Sequence, residues 1–314
     1  MFNSEKWSLL IEETYGYKAC AYSNSGFQLH YNIINNEIGD YVISPSFGDF
    51  IYINKDQLLL LDEFLKGNDS KSSSIKLRFD SNSILKYSFI EQAGYLHEIE
   101  YSSYKKWSED GIKCKFRNQI NQGEKSGLAI GLSTDEDDLV SFWEMHANLR
   151  MGKFVEIPQP KKFFLNIHKT YFVAGKGFLL IAFDQRKDLV AGILVIISGD
   201  TAYYKFSASY SSALKMRPNN YLIDRLIFEL DKRGIKKLNL GYTGASDSYT
   251  GLRKYKLSAG AKEFPRYIIK TPSFENLNRK IITDINKKIA QLIPGEPTFD
   301  EIDMFSQQYY KYFV

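Results

Sequence analysis

Three β-forming stretches with no helix between them constrain this chain most. Residues 178–183, 190–197 and 201–207 are rich in β-branched and aromatic side chains, and only short polar or glycine-bearing loops separate them. Strands joined so closely must pair antiparallel, because a parallel partner needs a crossover of a dozen or more residues. Around this meander the pattern changes period. Residues 128–132 read as a strand, and Ser133-Thr134-Asp135-Glu136 as the capped start of a helix reaching Met151. A second helix is expected over 158–171. Pro218 suits the first turn of a helix over 220–232 that Gly234 ends. A buried strand (236–240), a short helix (251–259) and a last strand (262–270) complete the order β-α-α-β-β-β-α-β-α-β.

The first third is strand-dominated. Residues 17–23 and 27–34 flank Asn24-Ser25-Gly26, read as a three-residue turn, and 41–44, 75–79 and 96–101 are further strands. Residues 56–66 are an amphipathic helix and 67–74 a polar loop. Trp107, Ile112, Phe116 and Ile120 recur at helical spacing along 104–125, a basic helix bent near Gly111. Two helices, 274–292 and 299–312, follow. At 314 residues the chain exceeds the usual size of one core. The expected division is a first lobe with its linking helix (1–125), a second lobe (126–273) and terminal helices (274–314), in the α/β (α+β) class.

A composition of 44% hydrophobic and 25% charged residues is that of an ordinary soluble protein. The net charge of +4 is too mild for a dedicated nucleic-acid binder. Cys20 and Cys114 cannot build a disulfide framework or a cysteine-rich zinc site. No metal is expected. The N-terminal residues lack a signal-peptide pattern, and the longest apolar run, 189–197, is far short of a membrane span of roughly 20 residues. A cytoplasmic location is expected; oligomeric state is not specified. There is no Ser-His-Asp arrangement and no dinucleotide fingerprint, and His30, His97 and His168 need no ligand role.

The order of elements from 128 onward is similar to that of GNAT acyltransferase domains, and local stretches carry the resemblance further. Residues 113–127 (KCKFRNQINQGEKSG) resemble the basic helix of Fem-type proteins, the aminoacyl transferases that build peptidoglycan cross-bridges. Residues 142–164 resemble the block in which a His or Thr precedes Arg, Gly, Pro and an aromatic pair. Residues 203–208 (YYKFSA), Pro218-Asn219, Gly234 and 238–241 (LNLG) resemble the meander, helix and following strand. Tyr255-Lys256 with Gly260 resembles the aromatic-Lys-x-x-x-Gly box. Pro45-Ser46-Phe47-Gly48-Asp49 resembles a loop of the family's first domain. The resemblance implies tandem GNAT-like domains, each a mixed sheet flanked by helices, with the terminal helices packing back on the first. Two departures stand out. No long helical hairpin is inserted, and the glycine-rich phosphate loop is replaced by residues 215–220 (KMRPNN), which lack the glycines that let backbone amides approach a pyrophosphate.

The resemblance implies an N-acyltransferase that moves an acetyl or aminoacyl group to an amine of a cell-envelope precursor, such as an amino sugar or peptide, nucleotide-linked or free. The donor is acyl-CoA, or aminoacyl-tRNA, which the mild basicity and missing arm favour less. The alternative is a non-catalytic binding or assembly protein on the same fold. By resemblance Lys256 lies near the donor carbonyl or its phosphate, where a preorganised donor stabilises developing charge. His146 is the second catalytic candidate, as a base near neutral pH. Tyr255, Arg217, Asn220, Tyr204 and Ser207 are the donor-binding candidates. Strict alternation puts Tyr204 and Ser207 on opposite faces, so only one should line a cleft. Lys113 and Arg117, four apart on one helix face, and Arg150, four from His146, are acceptor-binding candidates. The plainer readings are a solvated lysine, a core tyrosine, a structural histidine and a solvated basic face. A GNAT cleft requires strands 201–207 and 236–240 to part rather than pair throughout.

Overall fold

The computed structural model describes residues 1–35, 40–45, 51–68, 72–78, 90–270 and 272–312. The loop expected at Pro45–Asp49 therefore lies, beyond Pro45, outside the described residues. The elements in chain order begin α1 (Glu5–Tyr15), β1 (Lys18–Asn24), β2 (Phe27–Ile34), β3 (Tyr41–Ser44), β4 (Ile51–Tyr52), α2 (Lys55–Lys66), β5 (Ser72–Arg78) and β6 (Ile90–Glu100). Next come α3 (Tyr104–Lys106), α4 (Cys114–Lys125), β7 (Ala129–Ser133), α5 (Glu136–Leu149), α6 (Lys161–Ile167), β8 (Gly177–Phe183), β9 (Leu189–Ser198) and β10 (Thr201–Ser209). The remainder is α7 (Pro218–Lys232), β11 (Lys237–Gly244), α8 (Thr250–Ser258), β12 (Lys262–Lys270), α9 (Pro272–Leu292) and α10 (Phe299–Tyr309).

The chain divides into unit 1 (Met1–Tyr95, Pro265–Pro297, Met304–Val314) and unit 2 (Leu96–Phe264, Thr298–Asp303). This differs from a break at 125/126. Phe116 and Ile120 of α4 are buried with Phe178, Leu222 and Leu238, so the linking helix clusters with unit 2. It differs again at the C-terminus, where α9 belongs to unit 1 and residues 298–303 to unit 2.

Unit 1 is a mixed sheet in the order β1-β2-β3-β5-β12, with β4 also on β5. The β1–β2 turn is two residues, not three: Asn24 pairs with Phe27, and Ser25 and Gly26 have φ of 46° and 82°. Positive φ at both positions is the turn whose twist suits a hairpin. The serine-rich stretch expected as loop is partly strand, since Ser73 and Ser74 are buried and pair in parallel with Val42 and Ile43. Helix α1, unseen in the sequence pattern, starts at Ser4, whose side chain accepts from the Trp7 amide, and buries Trp7, Leu10 and Ile11.

Unit 2 carries the meander: β7, β8, β9 and β10 are antiparallel neighbours, and β11 joins β10 in parallel. A parallel pair needs a crossover, and α7 supplies it. Helices α5 and α6 bury Phe142, Trp143, Phe163 and Phe164. The start of α5 is Asp135, whose carboxylate accepts from the Asp137 amide at 2.9 Å, so the Ser133–Glu136 box does not form. The bend expected near Gly111 is real: α3 runs into a wide turn over Trp107–Gly111, and extended backbone at Ile112 and Lys113 separates it from α4.

Candidate functional site

Strands β10 and β11 pair over only three positions, Thr201↔Lys237, Ala202↔Leu238 and Tyr203↔Asn239. Beyond that level both continue, β10 to Ser209 and β11 to Gly244, without further register. Each carries a distortion at the point of parting. In β10 the register against β9 slips between Tyr204 and Phe206, a bulge at Lys205. In β11 Gly241 takes φ of +74°, with its amide on Asn239 Oδ1 at 2.7 Å. A bulge bends its strand and interrupts the ladder. Two parted parallel strands leave a gap edged by backbone donors and acceptors.

The bulge also overturns the alternation argument. One extra residue between Tyr204 and Ser207 returns both to the same face. The two side chains hydrogen-bond, which opposes the burial that pushes the Tyr204 hydroxyl up to about 12. Tyr255 of α8 comes to the same place. Its pKa is raised first by burial and then by Tyr204, its hydroxyl is buried without a partner among the described residues, and its ring packs on Phe116 at 5.6 Å.

Lys256 is buried, 6% exposed, on the next position of α8. Its Nζ donates to the carbonyls of Gly241 at 3.0 Å and Tyr242 at 3.2 Å, two and three residues beyond the last β10–β11 pair. Gly260 explains the spacing of the box: it takes φ of +88°, and a Cβ there would come within 2.3 Å of the Gly111 carbonyl. The Trp107 indole donates to the Ala259 carbonyl at 3.0 Å, and the Lys113 amide to Ser258 at 3.0 Å. The bent segment and the end of α8 thus lock together and fix where Lys256 stands.

Sequence reasoning missed three neighbours of Lys256. His97 of β6 is fully buried, its Nε2 3.5 Å from Glu263 Oε2. Arg253 grips the same carboxylate with bonds of 2.9 and 3.1 Å. Burial and then the Lys256 charge lower the His97 pKa to about 4, against the pull of Glu263. No sequence signal links positions 97, 256 and 263; only the sheet order, with β6 next to β11 and β12, joins them.

The remaining candidates are held by contacts of their own. The His146 ring packs on Phe164 at 5.5 Å and on Phe206 at 5.3 Å, and its Nε2 is 2.9 Å from Gln159 Oε1. Phe206 follows the bulge, on the face of β10 opposite Tyr204 and Ser207. Burial lowers the His146 pKa to about 4, so the ring is neutral at pH 7. Arg150 pairs with Glu156. Arg217, with φ of 56°, precedes α7, and the Asn220 amide nitrogen reaches Gln119 Oε1 of α4 at 3.2 Å. Lys113 is exposed and stands before α4, not on it, so it shares no helix face with Arg117. Arg117 turns back to the carbonyls of Ser108 and Glu109.

Residues 113–257 match the family model of the acetyltransferase (GNAT) domain. The structure of FemX is similar over 90% of this chain and 94% of its own, with a TM-score of 0.64 and 13% identity. L-PGS from Bacillus licheniformis is similar over 90% of this chain and 96% of its own, at a TM-score of 0.58 and 12% identity. The C-terminal domain of a putative lysylphosphatidylglycerol synthetase from Agrobacterium fabrum is similar over 85% of this chain and 87% of its own, at a TM-score of 0.57 and 12% identity. At such identities the likeness is one of fold. No curated protein matches the sequence. Among the described residues, no helix is long and apolar enough to cross a membrane. Residues 113–257, which include the parted strands and Lys256 at the fork, are the segment that matches the GNAT domain.

Proposed function

We propose that this protein is an N-acyltransferase that passes an acyl group from an activated donor to an amine. One observation carries the reading: β10 and β11 part at the level where Tyr204, Ser207, Tyr255 and Lys256 gather. The donor carbonyl would lie in the gap, where backbone amides at the strand edges can bind its oxygen. As the neutral amine attacks, negative charge grows on that oxygen, and donors already aimed there need no reorganisation. The Lys256 ammonium contributes positive charge beside the fork. The leaving group departs as the tetrahedral carbon collapses, and it takes up, directly or through water, the proton that the amine gives up. On this reading the acceptor is an amine of a cell-envelope precursor, an amino sugar or peptide, following the Fem-type resemblance. The donor is acyl-CoA in preference to aminoacyl-tRNA.

A second reading, a non-catalytic binding protein on the same fold, draws on the approach to α7. Residues 215–220 contain no glycine, and Arg217 occupies a left-handed conformation where a phosphate loop would place one. Release of thiol from a panel of acyl-CoAs with amino-sugar nucleotides, repeated with charged tRNA, separates the two. Turnover is expected in the wild type and about a hundredfold less in Lys256→Ala. Undiminished turnover in that variant removes Lys256 from the mechanism, and no turnover with either donor favours the second reading.

A further inference from the structure

Away from the fork, helices α4 and α7 and the segment from Tyr104 to Ile112 border an open cleft of about 500 Å³, a size typical of small-molecule sites. It shares no residue with the gap between β10 and β11. The helices are held close on one side: a Cβ on Gly123 would meet the Tyr221 Cβ at 2.7 Å, so the backbone of α4 rides directly on α7. The Asn220–Gln119 bond ties them again. The cleft is therefore formed before any ligand arrives.

Its lining combines both signs of charge with an apolar floor. Arg117 uses Nε and Nη2 on the Ser108 and Glu109 carbonyls, and its Nη1 has no partner among the described residues. Arg225 uses Nε and Nη2 on Asp224 and the Tyr104 hydroxyl, and its Nη1 likewise has none. Both guanidinium groups are oriented by these bonds, so little entropy is lost when they bind something else. On the acidic side Asp224 is buried, 3% exposed, and accepts from Tyr104 at 2.9 Å. Exposed Glu124 has no cationic partner among the described residues, and its charge acts on Asp224. Tyr221, Ile112 and Ile120 supply apolar surface.

Two guanidinium edges suit a carboxylate. A dianion such as phosphate would meet Glu124 and Glu109, and a simple cation would meet Arg117 and Arg225. A ligand that carries both charges satisfies both walls. We infer that the α4–α7 cleft binds a free zwitterionic amino acid with an apolar side chain, its carboxylate on Arg117 and Arg225 and its ammonium on Glu124. The site needs no acyl donor and stands whether or not the fork catalyses transfer.

Titration calorimetry of the full chain with phenylalanine tests this, beside N-acetylphenylalanine, which lacks the ammonium, and phenethylamine, which lacks the carboxylate. Saturable binding of phenylalanine is expected, with each analogue about tenfold weaker or more. Glu124→Gln should weaken phenylalanine about fivefold or more and leave N-acetylphenylalanine unchanged. Asn121→Trp, at an exposed lining position, should block all three. The inference fails if phenylalanine does not bind at millimolar concentration. It fails equally if either analogue binds as well as phenylalanine, or if neither variant changes binding.

Discussion

Lys256 reaches two successive carbonyls of one strand, an arrangement that regular strand geometry forbids because neighbouring carbonyls point to opposite edges. Left-handed Gly241 makes it available. Replacing Lys256 by Met keeps the length of the side chain and leaves two carbonyls without their donor, a penalty of roughly 1–3 kcal/mol for each group that water cannot reach. Denaturant midpoints should show the loss, and an unaltered midpoint would mean that the ammonium is not needed for folding. His97 and His146 make a prediction about pH. Both have folded pKa values of about 4, below the ordinary 6.5. Between those values the unfolded chain binds more protons, so stability falls as pH drops from 6.5 towards 4, by up to about 3 kcal/mol for each ring. The double variant His97→Gln, His146→Gln should flatten that slope in urea titrations at pH 7, 6 and 5; an unchanged slope would show that neither ring is buried neutral. At this scale sequence reading had a mixed yield. The Tyr255-Lys256-x-x-x-Gly260 spacing was visible, whereas a one-residue bulge at Lys205 reversed the facing of Ser207 and left no mark in the composition.

Helices and strands are most legible where period and punctuation agree, as at Pro218 for α7 and in the β8–β9–β10 meander. They are illegible where side chains carry the wrong signal. Serines 72–74 look like a loop, yet a buried parallel strand demands only backbone partners and room, which small side chains provide. Helix α1 was invisible because its apolar stripe, Trp7, Leu10 and Ile11, is short and interrupted by polar residues. The lock between the Trp107–Gly111 turn and the end of α8 makes the element-level prediction. Gly260→Ala adds a left-handed penalty of about 1–2 kcal/mol, and the new methyl also has to displace the Gly111 carbonyl. Phe116→Ala, which removes the ring packed on Tyr255, should cost about 3–5 kcal/mol at a site with no exposed surface. Calorimetric melting of both variants checks the pair; if Gly260→Ala melts like wild type, the lock is not tight.

For the whole molecule, the sequence supported two bodies but not how the chain is shared between them. Local patterns report neighbours along the chain, and the partition depends on contacts between distant segments. Unit 1 is assembled from three pieces and unit 2 from two. Within unit 2, the returning segment is anchored by Asp303, which accepts from the Lys161 amide at 2.6 Å, and by Phe299, whose ring meets Trp143 at 6.1 Å. Asp303→Ala should speed hydrogen exchange at the Lys161 amide and at the first turn of α6, and unaltered protection there would contradict the anchor. This interleaving also bears on the order of synthesis. Residues 1–95 leave the ribosome with their sheet unfinished, because β12, which pairs with β5, comes only after Leu96–Phe264 has been made. At about 5–20 residues per second the edge of β5 waits roughly ten to thirty seconds for its partner. During that interval it is open to pairing with any other exposed strand, so nascent chains of this protein should depend on chaperones for the first unit more than for the second.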